Sequence, residues 1–244
     1  MSGFGASAPV PASAVDFAAF DALTFDCYGT LIDWEAGILA GLRAVLGPRG
    51  IAPDDDVLLE RYAGFEAGLE AGPYLRYRDV LGAGLVGLAA TYDVSPSAEE
   101  VAAFGGSVVD WPAFPDSGAA LARLKTRFKL GVITNCDDDL FAASNRRLGV
   151  AFDWIVTAQQ AGSYKPDPHN FEVAFARIPV PRERILHVAQ SLFHDHVPAK
   201  SFGLTTGWVD RRHDRAGYGA TPPATATPDL TVPDMATLAE LAVP

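Results

Sequence analysis

From Asp116 onward the sequence alternates short apolar runs with longer amphipathic stretches, and this alternation limits the possible folds more than any other feature. The apolar runs cover 130–134, 154–157, 185–189 and 206–209, with a last one near Leu230. Helical spacing covers 118–127, 138–148, 168–177, a short piece around 196–202, and 235–241 beyond a Pro-, Gly- and Thr-rich loop at 213–228. Short apolar runs bounded by turn signals read as strands buried on both faces. Strands separated by helices predict parallel pairing, with helices covering both sides of the sheet. The expected fold class is therefore α/β, a doubly wound parallel sheet.

The N-terminal half adds one strand and an interruption. Residues 22–26, Ala-Leu-Thr-Phe-Asp, form an apolar run that ends in an acid, and Tyr28-Gly29-Thr30 follow as a turn. Beyond residue 35 the pattern becomes helical, with Ile38, Leu39, Leu42, Val45 and Leu46, then Val57, Leu58, Tyr62, Phe65 and Leu69. No strand interrupts this stretch up to about residue 115. The expected division is a disordered leader at 1–16, an α/β core at 17–35 and 116–244, and an inserted helical cap at 36–115. In open α/β sheets, ligands bind outside the carboxyl ends of the strands. Those ends present Asp26, the pair Thr134-Asn135, Lys165 in the loop after the next strand, and the segment 190–195 that closes on Asp195.

Composition removes several function classes. Hydrophobic residues make up 49% and charged residues 20%, as in a folded globular chain. No stretch approaches the roughly 18 apolar residues that a membrane span needs. Residues 1–14 carry no basic residue ahead of an apolar segment, so a secretory signal is not expected. Two cysteines, Cys27 and Cys136, cannot build a disulfide framework; packing roles in a reduced, cytoplasmic protein are expected. The net charge of −11 has no basic run to offset it, which argues against nucleic acid or an anionic membrane as partner. A small anionic substrate would have to be held by a few specific cations.

The segments at the strand ends resemble the haloacid dehalogenase superfamily. Phe25-Asp26-Cys27-Tyr28-Gly29-Thr30-Leu31 resembles its first motif with Asp26 at the nucleophile position, and Thr134-Asn135 resembles the second. Lys165-Pro166-Asp167 resembles the third and the stretch ending at Asp195 the fourth. The resemblance runs from about residue 20 to the C-terminus and implies a Rossmann-like core with a cap after the first strand. Phosphatases of that superfamily have a second aspartate two residues after the nucleophile, where this chain has Tyr28. They also have a magnesium-binding acid in the fourth motif, where Ala189-Gln190 stands here. Replacing a carboxylate by an amide removes charge that helps to hold magnesium. The pattern thus resembles the 2-haloacid dehalogenase branch, which implies no metal and no cofactor. In that branch an aspartate displaces halide from carbon and water cleaves the resulting ester.

The resemblance implies a role for each residue. Asp26 attacks, Lys165 favours its ionised form, and Thr30 orients it. Thr134 and Asn135 bind the substrate carboxylate or an oxyanion, and Asp195 orients Lys165 or the water. Plainer readings stand beside these: an ordinary turn threonine for Thr30, and helix N-caps for Asn135 and Asp195. Halide release calls for an arginine from the first half of the cap. Arg61 fits by local pattern, with Arg76 and Arg78 as alternatives. Tyr28, Tyr62, Phe65 and Tyr77 are the expected apolar wall, and Ser191 and His194 the remaining contacts to substrate. Leu192 and His194 depart from the dehalogenases, where asparagine and an aromatic residue are usual. The expected activity is hydrolysis of a small 2-halocarboxylate to the 2-hydroxy acid. The alternatives are opening of a strained ring acid such as azetidine-2-carboxylate, a magnesium-dependent phosphatase with a drifted motif, and a non-catalytic binding protein. A homodimer is left open, since members of the family are often dimers.

Overall fold

The computed structural model describes residues 15–244, so the expected leader at 1–16 lies outside the described residues except for Val15 and Asp16. Val15 packs on the core, and Asp16 caps a short 3-10 turn, Phe17–Ala19, by accepting from Ala18 N at 2.9 Å. Six strands follow: β1 (Ala22–Phe25), β2 (Lys129–Thr134), β3 (Trp154–Thr157), β4 (Ile185–Ala189), β5 (Thr205–Val209) and β6 (Leu230–Val232). They form one parallel sheet in the order β3-β2-β1-β4-β5-β6. All four residues of β1 and all five of β4 are buried, as strands covered on both faces must be. The strand order reverses direction between β1 and β4, and a crevice opens at their carboxyl ends. Asp26 and the 190–195 segment lie at that crevice.

Between β1 and α5 (Ser117–Lys125) the chain inserts four helices: α1 (Trp34–Leu46), α2 (Asp55–Glu70), α3 (Tyr77–Ala90) and α4 (Ala98–Gly106). Gly37 in the interior of α1 costs about 1 kcal/mol against alanine. It is there because an added Cβ would lie 2.3 Å from the ring of Trp111, one of the largest fully buried side chains. The remaining helices are α6 (Asp138–Leu148), α7 (Ala158–Ala161), α8 (His169–Arg177), α9 (Val197–Ser201) and α10 (Met235–Ala242). A continuous apolar core joins the insertion to one face of the sheet, through Ile38, Leu42, Leu58 and Tyr62 with Leu23 and Phe25. A smaller cluster around Phe171, Ala174 and Ile133 fills the other face. Among the described residues, no helix is long and apolar enough to cross a membrane.

The short helix expected around 196–202 is α9, and a π-helical turn that was not anticipated, Leu192–His196, precedes it. Ser191 caps the turn by accepting from His194 N at 2.9 Å. Pro198 has no N–H to give and must sit in the first turn of α9.

The insertion is fastened to the core by a buried carboxylate. Asp137, fully buried before α6, accepts from Tyr77 N at 2.9 Å and Arg78 N at 3.3 Å. It thus caps α3, whose own N-cap residue, Arg76, offers no side-chain bond. Arg78 pairs with Asp137 and, at 2.6 Å, with Asp139. Replacing Asp137 by alanine leaves two helix N–H groups without an acceptor. Urea unfolding is expected to show a loss of about 2 kcal/mol, from a lost cap plus unsatisfied buried donors.

Candidate active site

The carboxyl end of β1 hands Asp26 directly to the crevice, and its backbone N–H still pairs with Val188 O at 3.0 Å. The chain then turns back at once, with Leu31 N donating to Cys27 O at 2.7 Å. Gly29 has a φ of 93°, and an added Cβ there would meet Gln190 and Trp34 at 3.0 Å. Only glycine combines that conformation with that closeness. The turn returns Thr30 beneath Asp26, so that its hydroxyl donates to Asp26 Oδ2 at 2.6 Å and accepts from Gln190 N at 2.9 Å.

Asp26 Oδ1 meets Lys165, a side chain only 1% exposed. Its Nζ donates to Asp26 Oδ1 at 2.9 Å, Asp195 Oδ1 at 2.6 Å and Ile133 O at 2.8 Å, which uses all three ammonium protons. Asn135 holds the lysine from behind. Lys165 N donates to Asn135 Oδ1 at 2.8 Å, and Asn135 Nδ2 donates to Lys165 O at 3.0 Å. Asp195 Oδ1 also accepts from His187 Nε2 at 3.0 Å. That bond fixes the tautomer, and Nδ1 of the ring accepts from the Thr24 hydroxyl at 2.9 Å.

Burial is the largest influence on every charge here. It raises Asp26 above the usual carboxylate range, Lys165 opposing and Asp195 adding to the rise. For Asp195 burial also pushes upward, but the charge of Lys165 and the bond from His187 prevail and hold it well below that range. Lys165 is disfavoured by burial, yet its two carboxylates leave it above its ordinary value. The ammonium therefore stays charged. Asp26 is a desolvated carboxylate with one side open to a cavity.

That cavity has a volume of about 30 Å3, enough for roughly two water molecules. Asp26, Lys165 and Asp195 form its floor, Tyr28, Trp34 and Tyr77 line its walls, and Ser191 and His194 stand at one side. The Tyr28 hydroxyl turns away to Ser144 at 3.0 Å and Cys136 at 3.3 Å. Burial pushes His194 down to about 4, so its ring is neutral. A larger cleft of about 360 Å3 shares Glu70, Lys165 and His194 with the cavity and leads outward past Tyr74, Tyr164 and Phe193.

Several expected contacts lie elsewhere. Arg61 is exposed, with its guanidinium 5.4 Å from the Tyr92 ring. At about 100° per residue it sits about 140° around α2 from Glu66 and about 180° from Glu70, the two residues that α2 does present to the cavity. Arg76 is exposed and Arg78 is engaged with Asp137 and Asp139, so neither takes its place. Thr134 is fully buried at the end of β2 and does not line the cavity, and its hydroxyl has no partner among the described residues. Tyr62 packs edge-on against Phe104, and Phe65 lies against Gly87, both away from the cavity. The N-cap of α6 is Asp137 rather than Asn135, and Ser191, not Asp195, caps the π-turn.

Glu66, Glu70, Trp34 and His187 were not anticipated. Glu66 is buried and accepts from the Tyr77 hydroxyl at 3.0 Å, while Asn135 Nδ2 lies 3.4 Å from Glu70 Oε2. The available signal was Glu66 itself, four residues after Tyr62 on the apolar side of α2.

A magnesium ion of the phosphatase kind does not fit these residues. Both oxygens of Asp26 already accept from donors, and Gln190 Oε1 accepts from the Thr221 hydroxyl at 3.1 Å. Tyr28 supplies no free oxygen, and magnesium wants six oxygens in near-octahedral array. Among the described residues, no three of His, Cys, Asp or Glu are grouped as metal ligands.

A six-stranded parallel sheet whose central strand ends in a lysine-paired aspartate defines a class of α/β hydrolases. The family model for haloacid dehalogenase-like hydrolases matches residues 20–193, and the chain belongs to that family. It is 27% identical over 207 residues to (S)-2-haloacid dehalogenase H-109 of Pseudomonas putida, covering 79% of this chain and 86% of that protein. It is 30% identical over 132 residues to haloacetate dehalogenase H-2 of a Moraxella species, 52% of this chain and 56% of the relative. A similar solved structure is the L-2-haloacid dehalogenase of Xanthobacter autotrophicus with chloropropionic acid covalently bound. Its TM-score is 0.74 at 21% identity, over 91% of this chain and 98% of that one.

Two stability measurements test this electrostatic arrangement. Lys165→Met leaves two buried carboxylates without their cation and is expected to cost about 3–5 kcal/mol in chemical unfolding. Burial raises Glu66 from 4.5 to about 7, with Tyr77 and Tyr62 opposing. A carboxyl that binds its proton more tightly when folded loses stability as pH rises from 4.5 to about 7, with no further change above. Glu66→Gln removes that loss. Urea titrations are expected to show the variant more stable than wild type by about 3 kcal/mol above neutral pH, with the difference vanishing in acid.

Proposed function

We propose that this chain is a metal-independent hydrolase that displaces a leaving group from a saturated carbon through an ester on Asp26. The observation that carries this reading is the Lys165 ammonium shared between Asp26 Oδ1 and Asp195 Oδ1. It keeps a desolvated carboxylate charged and aimed, the state a carboxylate nucleophile needs. Thr30 fixes the second oxygen of Asp26, so attack is confined to the side open to the cavity. Once the ester forms, the negative charge on Asp26 is gone and Lys165 can stabilise the oxyanion that develops when water adds to its carbonyl. Asp195, held ionised with Oδ2 free of any partner among the described residues, is placed to accept a proton from that water.

The dehalogenase relatives support a small 2-halocarboxylate as substrate, converted to the 2-hydroxy acid and halide. The helices α1–α4 act as the cap in this reading, with Tyr77 and Trp34 excluding water. One observation favours a second leaving group. The cavity wall on α2 carries Glu66 and Glu70 and no arginine, which suits a strained ring amine better than a halide.

The test is single turnover of EDTA-treated protein in heavy-oxygen water with each enantiomer of 2-chloropropionate and with azetidine-2-carboxylate. The expected result is heavy oxygen in the Asp26-containing peptide with one of these substrates, and product formation lowered about a thousandfold or more in Asp26→Asn. Label in the product alone, or activity that requires added magnesium, overturns the ester on Asp26.

A further inference from the structure

The cavity over Asp26 is small, and a larger space adjoins it. Its volume of about 30 Å3 takes the reacting carbon and the atoms nearest to it, while the outer cleft measures about 360 Å3. The two share Glu70, Lys165 and His194, so a substituent on that carbon extends directly into the cleft. Three segments build the cleft: the end of α2 with the turn after it, the loop that carries Lys165, and the π-helical turn. Ala67 and Ala71 keep the α2 side low, and a Cβ added at Gly162, on the loop side, would meet nothing within 4 Å.

The walls are aromatic and already set. The rings of Tyr74 and Tyr164 stack with centroids 5.4 Å apart at 29°, and the Tyr164 hydroxyl donates to Leu75 O at 2.9 Å. Phe193 stands edge-on to His194, with centroids 5.0 Å apart. Phe193 is half-buried yet belongs to neither apolar cluster of the described residues, so it lines the cleft without serving the core. Charge selects against an ionic guest. Lys165 is the one lysine or arginine at the cleft, and its three protons are already placed. Burial, with the charge of Glu66 adding, pushes Glu70 well above the usual carboxylate range, so this acid does not call for a cation. Asp167 lies at the exposed rim and accepts from His169 N at 2.9 Å. An anionic tail finds no free cation here, whereas an uncharged flat ring finds aromatic faces and edges to pack against.

We propose that the outer cleft is a subsite for an uncharged aromatic tail, so that the substrate is an aryl-bearing acid whose reacting carbon sits over Asp26. The proposal rests on the ester-forming reading of Asp26 and holds whichever atom leaves. Glu70 Oε2 and His194 Nε2 stand 3.8 Å apart where cavity and cleft meet, and the tail passes by parting these two side chains. Glu70 is the last residue of α2, where rotation of one side chain to another staggered well clears the way.

The test follows chloride release from 2-chloropropionate and from 2-chloro-3-phenylpropionate in wild type, Phe193→Ala and Ala71→Trp. In wild type the aryl substrate is expected to exceed the small one about 30-fold or more in kcat/KM. Phe193 lies outside the Asp26 cavity, and Phe193→Ala is expected to lower the aryl substrate about tenfold and leave the small one unchanged. Ala71→Trp fills the cleft and is expected to remove the aryl advantage alone. Equal kcat/KM for both substrates in wild type overturns the proposal. So does an equal loss on both in Ala71→Trp, which marks the cleft as a way in and no more. Calorimetric titration with 3-phenylpropionate and with propionate separates the subsite from the reading beneath it. If neither substrate releases chloride, the heavy-oxygen label judges Asp26, and the titration alone judges the subsite. Tighter binding of 3-phenylpropionate than of propionate, weakened about tenfold in both variants, keeps it. Equal binding of the two acids, no binding of either, or binding unchanged in the variants sinks it.

Discussion

A single ammonium group organises this protein. Lys165 brings a full charge into a place almost closed to solvent, its side chain only 1% exposed, and such a charge survives there only if its protons find acceptors. Meeting that demand requires the ends of three strands at once: Asp26 after β1, Ile133 in β2 and Asp195 beyond β4. The loop carrying the lysine must be held to the end of β2, which Asn135 does with both faces of its amide. His187 and Thr24 extend the same network into the sheet itself. The order of the strands and the chemistry of the site are therefore one constraint seen from two sides.

The insertion answers a different need. A carboxylate can be made reactive by desolvation only if something covers it, and the sheet edge alone leaves Asp26 open to water. The four inserted helices supply that cover with aromatic rings, and they set the character of the cover with two acids.

The sequence made the core legible because its strands are buried on both faces and so appear as unbroken apolar runs. Asp26, Thr30, Asn135, Lys165 and Asp195 could be found because each ends or follows such a run, and the structure gathers them around one lysine. Legibility failed where the phase of a helix decides which way a side chain points. Arg61 has the right chemistry for a halide and sits on the wrong side of α2, and no local pattern distinguishes those sides when glycines and alanines fill much of the helix. Glu66 and Glu70 escaped notice because glutamates four apart normally mark a solvent-facing stripe. His187 escaped because one imidazole inside an apolar strand looks like packing until its carboxylate partner is located.

The bond between Asp137 and the start of α3 has a mechanical consequence. A buried carboxylate that caps a helix is costly to break, so it ties the start of α3 to the loop that precedes α6. Tyr77, the first residue of α3, is thereby held where it lines the cavity beside Asp26. A contact made for stability thus also fixes one wall of the site.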